Sequence, residues 1–74
     1  MILDTKGLRC PLPVLKTHRA LKEVAGGDML TVLTTDPGAV KDFQAFCETT
    51  GCQLVTWREE NGVFTFEIRK PAMA

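Results

Sequence analysis

A chain of 74 residues has room for one small domain of two short helices and a sheet, and it buries only about 60% of the surface its unfolded form exposes. Nine Lys and Arg balance nine Asp and Glu, so the basic footprint of a nucleic-acid binder is missing. With 45% hydrophobic and 24% charged residues the composition is that of a globular domain, not a disordered tail. No run approaches the ~20 apolar residues of a membrane span. A large buried substrate cavity would consume so small a core, which places any chemistry at the surface or at an edge.

Met1-Ile2-Leu3-Asp4 breaks into charge at once and offers no apolar signal region, so a cytoplasmic location is expected, where free thiols are the default. There are no repeats or linkers, and residues 1–74 read as a single domain. Ile2 and Leu3 begin a short strand, and Thr5-Lys6-Gly7 is a turn. Cys10-Pro11-Leu12-Pro13 opens a helix running to about Ala25, stopped by Gly26-Gly27. Its apolar stripe is Val14, Thr17, Leu21 and Val24. Asp28 to Thr35 alternates as a strand. Asp36 caps a second helix with Pro37 at its first position; Val40, Phe43, Phe46 and Cys47 form one face, and Gly51 ends it. Cys52–Glu59 and Val63–Lys70 are strands joined through Asn61-Gly62, a strong hairpin signal. The order β-α-β-α-β-β predicts an α/β (α+β) two-layer sandwich, a four-stranded mixed sheet with both helices on one face. Phe64, Phe66 and Ile68 should point into the layer under the helices, with Thr65, Glu67 and Arg69 on the open face.

Gly7-Leu8-Arg9-Cys10-Pro11-Leu12-Pro13 is the segment richest in chemistry. A Cys at a helix N-cap meets the positive end of the helix dipole, which favours thiolate. Pro11 at the first helical position and Pro13 at the third leave the Leu12 N–H as the early donor for the sulfur, although a residue before proline resists the helical conformation. Lys6, Arg9 and Lys16 surround Cys10 in sequence with no acid between Lys6 and Lys22, which favours the thiolate further and suits an acidic partner. Spacing alone leaves a reactive Cys10 and a buried structural Cys10 as equal alternatives.

Leu3-Asp4-x-x-Gly7-Leu8-x-Cys10-Pro11-x-Pro13-Val14 resembles the signature of the TusA (SirA-like) sulfur-carrier family. Asp36-Pro37, Asp42, Phe46-Cys47 and Ile68-Arg69-Lys70 extend the resemblance over nearly the whole chain. It implies the same two-layer fold. It also implies that Cys10 accepts sulfane sulfur as a persulfide from a cysteine desulfurase, a rhodanese or a related donor protein. The sulfur then passes to an acceptor protein, in some members toward tRNA thiolation. Pro11, Pro13, Leu12 and Arg9 would support the sulfur, and Lys6, Lys16 and Arg19 would face partners. No cofactor, no metal, no direct contact with nucleic acid and no membrane are expected.

The remaining candidates have plainer readings. Cys47 falls within an apolar stripe, as a small core residue. Cys52 starts a strand with nothing basic beside it in sequence. Two cysteines five apart, with no second pair, do not make a zinc site. His18 reads as a boundary residue, and Trp57, alternating with Val55 toward the open sheet face, as a ring partly covered by strand neighbours. Capping or first-turn roles account for Asp36 and Asp42. A non-catalytic interaction or regulatory module is the rival function. A thiol–disulfide redox protein would want a resolving cysteine where Pro13 stands.

Overall fold

The computed structural model describes residues 1–72. The elements follow the expected order: β1 (Ile2–Thr5), α1 (Leu12–Ala20) with a 3-10 turn at Leu21–Glu23, β2 (Met29–Thr34), α2 (Ala39–Thr50), β3 (Gln53–Glu60) and β4 (Val63–Arg69). The sheet runs β1-β2-β4-β3, with β1 parallel to β2 and the other pairs antiparallel. Both crossovers carry their helix to one face, as a right-handed connection requires. The result is the predicted two-layer sandwich with one open sheet face.

Period-two burial along β2 records those two faces. Leu30, Val32 and Thr34 are buried, while Met29, Thr31 and Leu33 are half-buried on the open side. The core joins Leu30, Val32, Phe66 and Ile68 of the sheet to Ala20, Leu21 and Val24 and to Ala39, Phe43, Phe46 and Cys47. Phe43 stacks on Phe66 with ring centroids 4.6 Å apart and meets Phe46 edge-on at 6.4 Å. Thr17 is fully buried, and its hydroxyl donates to the Pro13 carbonyl at 2.8 Å, which satisfies a polar group inside the layer.

Chain reversals follow their residues. Gly51 ends α2 at φ 79° and its N–H returns to the Cys47 carbonyl at 2.9 Å, a left-handed cap that suits glycine. Asn61 and Gly62 both have positive φ, 53° and 82°, the turn whose twist matches a hairpin.

Three local expectations are corrected. The regular helix α1 stops at Ala20, not Ala25, because the chain tightens into the 3-10 turn at Leu21–Glu23. Helix α2 begins at Ala39 with Gly38 as its N-cap, so Pro37 precedes the helix and Asp36 closes a turn ahead of it. Trp57 lies on the helix side of the sheet. It pairs across the strands with buried Phe66, and residues directly opposite share a face. The register shift between Leu54 and Thr56 makes Val55 a bulge, which breaks the simple alternation. Trp57 still packs beside strand neighbours, its ring 6.2 Å from Phe66 and 6.3 Å from Phe64, and is 41% exposed at the β3 edge.

Candidate functional site

Parallel neighbours β1 and β2 end at the same side of the sheet, so the loops leading into α1 and α2 emerge together. Hydrogen bonds tie them. The Gly7 N–H donates to the Thr35 hydroxyl at 2.9 Å, and the Cys10 N–H donates to Asp36 Oδ2 at 2.9 Å. The other Asp36 oxygen accepts the Gly38 N–H at 3.1 Å. One carboxylate therefore fixes the start of α2 and the backbone of Cys10 at once.

Cys10 is exposed and stands one residue before the N-cap, which is Pro11; the Cys10–Pro11 peptide is cis. Pro11 is thus the cap, not the first helical residue, and Pro13 occupies the second helical position, where it is buried. The Leu12 N–H, expected to reach the sulfur, donates instead to the Arg9 carbonyl at 2.8 Å. Leu12 itself is 44% exposed beside the thiol.

The electrostatic surroundings differ from the expectation more sharply. Cys10 Sγ and carboxylate oxygens of Asp36 and Asp42 lie within 4.8 Å of one another. A hydrogen bond to the Asp42 carboxylate, then desolvation, then the charges of Asp42 and Asp36 raise the Cys10 pKa above that of an ordinary thiol. These acidic neighbours favour the thiol, the reverse of the thiolate that the basic sequence neighbours suggested. Lys6 turns to Asp4, with Nζ 3.8 Å from Oδ2. Arg9, Lys16 and Arg19 are exposed, and none of them lines the groove beside Cys10. The thiol is exposed and both carboxylates are half-buried.

Asp42→Asn removes both the acceptor charge and its repulsion of the thiolate. Iodoacetamide should then alkylate Cys10 several-fold faster near neutral pH, with the midpoint of the pH–rate profile moved down. An unchanged profile would show that Asp42 does not govern the thiol.

Beside Cys10 a groove of about 350 Å³ runs between the two helices, floored by Pro11, Val14, Ala45, Phe46 and Thr49. Thr50 lies at its far end and also lines a second recess of about 280 Å³ with His18, Lys22, Lys70 and Cys52. Cys52 therefore has basic neighbours in space that its flanking sequence does not reveal. It is half-buried against the core. Cys47 is buried as expected, and burial, with a smaller contribution from nearby Cys52, pushes its thiol up to about 11. His18 is exposed and meets Phe46 edge-on at 6.2 Å.

Asp36 and Asp42 are the site residues that sequence reasoning missed, having been explained as caps or first-turn residues. The signal that could have found them is topological: each helix start follows one of two adjacent parallel strands.

Fold and site together define a small two-layer α/β protein presenting one accessible cysteine where two helix starts converge. The family model described as sulfurtransferase TusA matches residues 1–70, and the chain belongs to that family. It is 48% identical over 68 residues to the sulfur carrier protein TusA of Allochromatium vinosum, covering 92% of this chain and 90% of that one. It is 42% identical over 71 residues to the sulfur carrier protein TusA of Pseudomonas paraeruginosa, covering 96% and 90% respectively. Among solved structures, a SirA-like protein from Desulfitobacterium hafniense superposes with a TM-score of 0.82 at 31% identity, covering 96% of this chain and 99% of that one.

Proposed function

We propose that this protein is a sulfur carrier that holds sulfane sulfur as a persulfide on Cys10, receives it from a donor protein and passes it to an acceptor protein. The observation that carries the reading is the placement of Cys10. It is an exposed thiol at a loop tied at both ends, with Cys47 buried and Cys52 in the recess beyond Thr50. A neighbouring second thiol would close a disulfide and expel the sulfur; none lines the Cys10 groove. The names of the relatives above support the carrier role.

The transfer balances without a redox partner. Cys10 gives up its proton to water, and its sulfur bonds to the outer sulfur of the donor's persulfide. The bond between the donor's two sulfurs breaks, and the donor cysteine leaves as thiolate and takes up a proton. The sulfane sulfur keeps its oxidation state. Loading places the reactive sulfur about 2 Å beyond Sγ of Cys10, one bond further from the backbone. Free thiols of this kind suit a reducing cytosolic setting.

Intact mass tests the proposal. After incubation with a cysteine desulfurase and L-cysteine, or a rhodanese and thiosulfate, the protein should gain one sulfur. Cys10→Ser should gain none, while Cys47→Ser and Cys52→Ser load normally. Failure of the wild-type chain to load from any donor would leave the interaction-module reading in its place.

A further inference from the structure

The groove beside Cys10 and the recess beyond it meet at Thr50, and the trough they form along α1 is polarised in a way that describes its occupant. At one end stand Cys10 and the Asp42 carboxylate, with Asp36 behind them holding the Cys10 backbone. Val14, Ala45 and Phe46 make an apolar middle. Beyond Thr50, the far recess carries His18, Lys22 and Lys70, with no carboxylate among the described residues of its lining. The Lys70 ammonium is anchored there by donating to the Val24 carbonyl at 2.8 Å. Helix α1 has nine residues, so the two ends are about 14 Å apart at ~1.5 Å per residue.

On the reading of Cys10 as sulfur carrier, the donor's persulfide must come within bonding reach of an atom that opens onto this trough. Residues flanking the donor's cysteine then have to rest along it. We infer that the trough seats the cysteine-bearing segment of the sulfur-donor protein. That segment carries a Lys or Arg next to its cysteine to meet Asp42, an apolar side chain over Val14 and Phe46, and an Asp or Glu toward Lys22 and Lys70. Complementary charge at both ends sets its direction as well as its place. A cation arriving beside Asp42 also offsets the charge that holds Cys10 as thiol, so docking and activation are one event.

Two variants at exposed positions test this: Lys22→Glu at the basic end and Ala45→Arg in the apolar middle. For each, loading of Cys10 is timed with the protein donor that loads the wild-type chain and with glutathione persulfide, and circular dichroism checks the fold. The expected result is a fall of about tenfold in the ratio of protein-donor to glutathione-persulfide rate for both variants, with weaker salt dependence for Lys22→Glu. An unchanged ratio overturns the seat. So does a wild-type chain that loads from glutathione persulfide but from no protein donor. Loading from neither source refutes the carrier reading itself, a different failure.

Discussion

Truncating Phe43 to alanine should remove most of the stability of this domain. Phe43 is fully buried, stacks on Phe66 at 4.6 Å and meets Phe46 edge-on, so it joins α2 to the central strand β4. Deleting a buried phenylalanine ring costs about 3–5 kcal/mol. A domain of this size has roughly 4–11 kcal/mol in total, at ~0.05–0.15 kcal/mol per residue. Urea denaturation should show the midpoint collapsing toward zero denaturant, whereas Trp57→Ala, at a 41% exposed edge position, should shift it far less. A Phe43→Ala loss below about 1 kcal/mol would contradict the core described here.

Replacing Asp36 by alanine should separate reactivity from transfer. Its carboxylate accepts the N–H of Cys10 and of Gly38, and its carbonyl accepts the Ala39 N–H at 3.0 Å. Each of the two hydrogen bonds lost contributes about 0.5–1.5 kcal/mol, and the Cys10 amide should exchange with solvent faster. The Asp36 charge also opposes thiolate formation, so its removal lowers the Cys10 pKa and speeds alkylation. Sulfur transfer from a protein donor should nevertheless slow by about tenfold, because the sulfur is no longer held in place. Asp36→Asn keeps an acceptor oxygen and should recover part of the transfer rate. Alkylation and transfer rising together would show that Asp36 acts only through its charge.

Local patterns made the architecture legible. The Asn61-Gly62 hairpin, the Gly51 cap, the stripes on both helices and the alternation in β2 each depend on residues close in sequence. The bulge at Val55 was not legible, because a single inserted residue leaves no mark in a strand already mixed in polarity, and it carried Trp57 to the other face. At the site, Cys10 and its two prolines stood out, but the charge around the sulfur was misread. The flanking sequence is basic, while the groups that touch the sulfur come from 26 and 32 positions away, at Asp36 and Asp42. Of the side chains nearest in sequence, Lys6 pairs with Asp4, and neither it nor Arg9 nor Lys16 lines the groove. The same parallel pairing of β1 and β2 that builds the sheet brings the acids to the thiol.

The measurement that bears most directly on Cys10 as the carrier uses a chain in which it is the sole thiol, the Cys47→Ser/Cys52→Ser double variant. That protein, charged by a persulfide donor, freed of donor and followed by intact mass, should hold one added sulfur. The added mass should vanish when an acceptor thiol is supplied. The matching variant with Cys10 also changed to serine should show neither step. Sulfur retained without Cys10, or a loaded chain that never yields its sulfur to a thiol, would contradict the account.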